Sequence, residues 1–177
     1  MSDWHGIMKI LWIKHWRDGE MIWEAENIKN LLHREGESFI LRAAFTGGQQ
    51  SNVIPANYYI GLDARFALNV EDNLTSLIGE PSGNGYIRQA VSSNGESEEE
   101  TGGFVLTLEG SNYRVTSPIV AFDAVLGNWG PVNNIFLTDS NTSNGNLISS
   151  AALPSTLTVA SGDTVTMRFG LVLKDCP

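Results

Sequence analysis

Glu80-Pro81-Ser82-Gly83-Asn84-Gly85-Tyr86-Ile87-Arg88-Gln89 is the stretch that decides how this chain folds. Pro81 and Ser82 lead into Gly83-Asn84-Gly85, residues that accept the positive φ of a tight turn. The turn runs straight into a strand-like segment, Tyr86 to Ser92. A second corner, Trp129-Gly130-Pro131-Val132, opens the alternating segment Val132 to Thr138. Gly83, Gly85, Trp129 and Gly130 are therefore the candidate structural turn residues. Aromatic and glycine corners between short strands describe a β building block rather than an enzyme.

Further strands lie on both sides. Tyr58 to Leu62, Phe104 to Leu108, Tyr113 to Thr116 and Ile119 to Phe122 are short β-prone runs separated by turn signals. Leu147 to Ala152, Leu157 to Val159 and Thr164 to Leu173 follow, the last opened by Ser161-Gly162-Asp163. Val70 to Leu77 fits a short helical turn. Seven or more short strands at regular spacing predict a mainly β protein, an antiparallel β-sandwich or jelly-roll-like module.

The N-terminal part reads differently. Ile7 to Trp16 and Met21 to Trp23 flank Asp18-Gly19, a pair suited to a hairpin turn. From Glu24 onward Ala25, Ile28, Leu31, Leu32, Phe39 and Ala43 fall on one helical face, with Gly36 as a point of interruption and Gly47-Gly48 as the cap. Two units are expected: a hairpin plus helix over 1–46, and a β-sandwich over 47–177. Trp4, Trp12, Trp16 and Trp23 crowd this short segment. Aromatic residues are enriched at interfaces, and a lone hairpin makes no core of its own. Trp4, Trp12, Trp16, Trp23, Ile28 and Leu32 are thus the candidate assembly interface, and a small core under the hairpin is the alternative reading of the tryptophans. On this reading, removal of 1–46 leaves a folded β module.

The chain has 177 residues and a net charge of −9. Residues 1–46 carry 7 acidic and 6 basic groups, and the remainder 13 and 5. An acidic surface repels phosphate backbones, so direct nucleic-acid binding is not expected. The single cysteine, Cys176, cannot close an internal disulfide. The start lacks the basic lead of a signal peptide, and no apolar run is long enough to span a bilayer. No membrane partner is expected.

Chemistry finds little purchase. His5, His15 and His33 all lie in the N-terminal segment, without zinc-ligand spacing. The β module holds no histidine to activate a serine. Gly83-Asn84-Gly85 lacks the lysine and the following helix of a phosphate loop. Glu96, Glu98, Glu99 and Glu100 form an acidic run that reads as a solvated loop tip rather than a Ca²⁺ site. Asp63, Glu80, Asp123, Asp139 and Asp163 sit beside turns, and no pair stands out as a glycosidase couple. No catalytic residue, metal or cofactor is expected.

One resemblance accompanies these readings. Tyr58-Tyr59-Ile60-Gly61-Leu62, then Leu77 to Val91 with its Glu-Pro-Ser-Gly-Asn-Gly-Tyr-Ile-Arg-Gln core, then Trp129-Gly130-Pro131-Val132, Gly145-Asn146-Leu147-Ile148 and Ser161-Gly162-Asp163-Thr164 appear in this order. In that order the segments resemble small structural proteins of tailed bacteriophage virions, of the tail-fibre-like or decoration type. Trp23 to Leu32 is similar to helices that precede this module in some phage proteins. The resemblance implies a non-catalytic β-sandwich subunit of the virion, synthesised in the bacterial host cytoplasm. It implies copies of itself, with a trimer favoured, and capsid or tail subunits as partners. The expected role is a capsid-decorating (cement) or tail-associated subunit. The alternative is a receptor- or carbohydrate-binding module of a tail fibre or tip, with Tyr86, Tyr113 and Trp129 stacking on sugars.

Overall fold

The computed structural model describes residues 4–45, 54–93, 102–109 and 112–175. It is a sandwich of two antiparallel sheets, as the strand spacing predicts. The strands are β1 (Trp4–Arg17), β2 (Glu20–Lys29), β3 (Leu31–Leu32), β4 (Asn57–Asp63), β5 (Gln89–Ser92), β6 (Val105–Glu109), β7 (Asn112–Thr116), β8 (Val120–Asp123), β9 (Pro131–Thr138), β10 (Leu147–Thr158) and β11 (Thr164–Asp175). One sheet has the order β2-β1-β11-β7-β6, with β8 also paired to β11. The other has the order β3-β10-β9-β4-β5. The helix α1 (Arg34–Phe45) and a 3-10 turn (Leu74–Ser76) complete the elements.

The core forms where the inward rows of both sheets meet. Ile10, Ile13, Phe122, Val165, Met167 and Phe169 come from one sheet, and Ile60, Leu62, Ile135, Leu137 and Ile148 from the other. Strict alternation explains the last strand: Val165, Met167 and Phe169 are buried, while Thr164, Thr166 and Arg168 are not.

The hairpin turns where the Asp-Gly pair predicts, with Asp18 at φ 51° and Gly19 at φ 80°. It is longer than the sequence suggests, and it belongs to the sheet. β1 pairs with β11 from Trp4↔Asp175 to Trp16↔Thr164. Ile10 and Ile13 thereby enter the core, together with Phe39 of α1.

The helix expected from Glu24 begins only at Arg34, because Glu24 to Lys29 continue β2. The misleading feature is the three-residue spacing of Ala25 and Ile28, which suits a helix. In the strand it comes from an irregularity: the β1–β11 register shifts between Ile10 and Trp12, and Asn27 opposite stands at φ 53°. Ile10 and Ile13, paired with Ile28 and Ala25, can then all face inward. Gly36 does not interrupt α1. Its missing side chain lets the helix lie on β10, since a Cβ there would fall 2.1 Å from the Ile148 carbonyl oxygen. Glu35 reinforces this seat by accepting from the Leu147 N–H at 2.8 Å.

Two smaller differences concern strand ends. The strand expected from Tyr86 starts at Gln89, since Tyr86 to Arg88 spend their side chains on the corner described below. Leu147–Ala152 and Leu157–Val159 merge into β10, whose register shifts between Ala152 and Leu157. The Gly47-Gly48 cap and the acidic run Glu96 to Glu100 lie outside the described residues.

Candidate assembly surface

The two corners that dominate the sequence meet in space. Gly83, Asn84 and Gly85 all have positive φ (71°, 50° and 83°) and fold the chain back on itself. The turn exposes the Asn84 carbonyl, which accepts from the Trp129 indole N–H at 3.1 Å. The Asn84 amide donates to the Asn128 carbonyl at 2.9 Å. Trp129 is 5% exposed and meets the Tyr86 ring edge-on at 5.4 Å; Tyr86 also stacks on Phe122 at 6.0 Å. Gly130 has open space around it and no positive φ, so the corner depends on Trp129 rather than on its neighbour.

The rest of the motif ties loops together. Arg88 makes a two-pronged contact with Glu80, at 2.8 and 2.7 Å, and donates to the carbonyls of Ser140 and Thr142. The Tyr86 hydroxyl donates to Glu80 at 2.9 Å and accepts from the Leu62 N–H at 2.8 Å. Burial, with the Glu80 carboxylate beside it, pushes the Tyr86 phenol far above its ordinary value. The phenol is therefore a fixed, neutral crosslink between β4 and the corner. Nothing in the spacing of Glu80 and Arg88 announces this ion pair.

At the hairpin end lies a second clasp. Asp163 is 1% exposed and receives both prongs of Arg17 at 2.8 Å, the Ala160 N–H at 2.8 Å and the His15 Nε2 contact at 2.7 Å. The Arg17 hydrogen bonds hold its carboxyl well below the usual carboxylate range, against the opposing pull of burial. Sequence reasoning placed all histidines outside the β module. The fold brings His15 and His33 onto it, because β1 and β3 are strands of its sheets.

The candidate interface residues separate by face. Trp23, Ile28 and Leu32 pack against the core. Trp12 and Trp16 stand on the opposite side of β1, half-buried, on a sheet face that no other layer of the described residues covers. There Lys14 lies 5.5 Å from the centre of the Trp12 ring, and the Trp16 indole donates to the Thr166 hydroxyl at 3.0 Å. Cross-strand pairing sets Thr164, Thr166 and Arg168 beside Trp16, Lys14 and Trp12. Trp4 heads β1; its side chain lies outside the described residues. The result is a firm aromatic and polar strip on a two-sheet body.

The residues that suggested chemistry have structural work. Asp63 is buried and accepts from the Arg65 and Gly79 N–H groups, Asp123 accepts from Thr164, and Asp139 accepts from both nitrogens of Asn146. Burial raises the Asp63 carboxyl above its ordinary value. His33 Nε2 lies 2.9 Å from the Ser150 hydroxyl, but the two residues are 0% and 2% exposed, so no substrate reaches them. No cluster of three or more metal-ligating side chains occurs among the described residues. No helix among them is long and apolar enough to cross a membrane. Of the three rings of the carbohydrate reading, Trp129 and Tyr86 pack together at the corner, and Tyr113 is 63% exposed.

With this geometry in place, the chain can be set beside known proteins. The profile of a protein family described as "Podophage GP4 fiber I protein gp80" matches residues 37–172. The matched stretch runs from α1 into β11 and includes both corners. No curated protein matches the chain.

Proposed function

This chain belongs to the Podophage GP4 fiber I protein gp80 family, and from that premise we propose that it is a non-enzymatic, tail-associated subunit of a podophage fibre. The observation that carries this reading is the match itself, which spans strands of both sheets and so covers the folded body. The corner and the clasp suit a load-bearing part, because each joins distant segments through partly buried polar contacts. A fibre family favours the tail-associated position over capsid decoration. The chain acts in the virion after synthesis in the host cytoplasm, and its partners are other fibre or tail subunits and copies of itself. The trimer expected from the sequence remains the assembly proposed at the level of the whole fibre.

Docking on a neighbouring virion protein falls to the outward strip of Trp12 and Trp16. Half-buried aromatic anchors on a rigid sheet lose little entropy on binding. Trp23, Ile28 and Leu32 support that strip from beneath. The test is to locate the chain in purified particles by gold-labelled antibody and mass spectrometry. Label at the fibres, lost in a Trp12→Ala/Trp16→Ala variant that melts like the parent, is the expected result. Absence from particles, or label over the capsid, refutes the reading.

A further inference from the structure

The sandwich has several open sheet edges, and they are not alike. Native edges are normally kept from pairing by charge, irregularity or shortness. β2 has Glu20, Glu24, Glu26 and Lys29, with Asn27 at positive φ. β3, β5 and β8 are four residues or fewer. β6, Val105-Leu106-Thr107-Leu108-Glu109, has a single charge, Glu109 at its end, and no positive φ within it, and among the described residues only β7 pairs with it. Leu106 and Leu108 are each 62% exposed, and Tyr113, opposite Leu108 in β7, is 63% exposed.

The backbone of β6 is equally available. In an antiparallel ladder, alternate residues turn N–H and C=O to opposite sides. Val105, Thr107 and Glu109, opposite Thr116, Arg114 and Asn112, are the alternate residues that bond to β7. Phe104, Leu106 and Leu108 then turn theirs outward. The Phe104 N–H is taken by the Ser92 carbonyl at 2.8 Å, which agrees with this direction. Those of Leu106 and Leu108 meet no other strand of the described residues.

We propose that β6 is a self-pairing edge, on which β6 of a second copy of this chain docks antiparallel about a two-fold axis at Thr107. The sequence of the strand is self-complementary in this register. Leu106 faces the partner's Leu108 and Leu108 the partner's Leu106, each couple exchanging two backbone hydrogen bonds. Four leucines then close one apolar face, with Tyr113 of each copy at its flank. Val105 meets Glu109, so like charges are not opposed. Such a contact is isologous and closes at two copies, so it pairs copies and is separate from the three-fold contact of a fibre trimer. A second copy fits better than an unrelated strand because a single register satisfies both the outward amides and the leucine row. The inference rests on the structural-subunit reading above and names the partner and the register for it.

The experiment uses the full chain with Cys176→Ser. Thr107→Cys puts a thiol at the axis, in a non-hydrogen-bonded pair whose Cα atoms are about 4.5 Å apart, within disulfide reach. Mild oxidation with glutathione disulfide, which takes up the two electrons, should convert most of it to covalent dimer, whereas Ile22→Cys on the β2 edge should stay uncrosslinked. In sedimentation, Leu106→Lys/Leu108→Lys should weaken self-association at least tenfold without lowering the melting temperature. The proposal is overturned if Thr107→Cys crosslinks no faster than Ile22→Cys. It is equally overturned if the lysine variant associates as the parent does, as dimer or as trimer. Crosslinking in a protein absent from fibres would sink the fibre reading alone, and fibre labelling without crosslinking would sink this pairing alone.

Discussion

Substitution of Gly85 by valine tests the corner directly. Gly85 stands at φ 83°, and a Cβ there would lie 2.5 Å from Val125 Cγ2 and 3.1 Å from the Asp123 carbonyl oxygen. The left-handed backbone alone costs an L-residue about 1–2 kcal/mol, and a β-branched side chain is worse placed there. Val125 is 62% exposed and can swing aside, so its contact adds little. The Asp123 oxygen belongs to β8 and cannot yield as easily. Together these give about 2–3 kcal/mol for Gly85→Val, or roughly 5–10 °C in a chain of this size. Two controls separate the causes. Gly83 shares the positive φ but has nothing within 4 Å, so Gly83→Ala should cost only about 1 kcal/mol. Gly130 has neither feature, and Gly130→Ala should stay within about 0.5 kcal/mol of the parent. Urea unfolding followed by tryptophan fluorescence measures all three, with the slope expected to be unchanged. The reasoning is refuted if Gly85→Val unfolds at the Gly130→Ala midpoint, or if Gly83→Ala costs as much as Gly85→Val.

Three further outcomes follow from the same contacts. Asp163→Ala strips the buried His15 and the Ala160 N–H of their acceptor and should cost about 2 kcal/mol in urea unfolding. Because the folded Asp163 carboxyl lies below its ordinary 3.8, its stabilisation is present above that pH and lost as the pH falls below it; the variant should show a shallower acid limb. Burial lowers the His33 imidazole below its ordinary 6.5, so the unfolded chain takes up a proton that the fold resists. Stability should therefore drop as the pH falls below about 6.5, by at most roughly 1.4 kcal/mol per pH unit, and His33→Gln should lessen the drop between pH 7 and 5. Deletion of residues 1–46 should abolish cooperative unfolding in calorimetry, since it uncovers β11 along its paired length and removes Ile10, Ile13 and Phe39 from the core.

Much of the body is legible because strand signals are local. The period-2 run Thr164 to Phe169 alternates in the structure as it does on paper. Asp18-Gly19 and Gly83-Asn84-Gly85 mark turns because few residues accept their backbone angles. Ala25 and Ile28 mislead for the opposite reason. Their spacing reports which side faces the core, and an irregular strand can produce the same spacing as a helix.

The tryptophans show the same limit. Their density is a property of the chain, but Trp23 faces the core and Trp12 faces outward because β1 and β2 join a sheet whose other side no layer of the described residues covers. Sequence distance conceals every long clasp: Arg17 with Asp163, Arg88 with the carbonyls of residues 140 and 142, Trp129 with Asn84. The sequence by itself determined the strands after residue 54, the tight turns, the acidic balance and the β-sandwich class, all of which depend on neighbours a few residues apart. Only the tertiary structure decided which edge stays open, which tryptophans are covered and which carboxylates are occupied, because each depends on what a distant strand brings alongside.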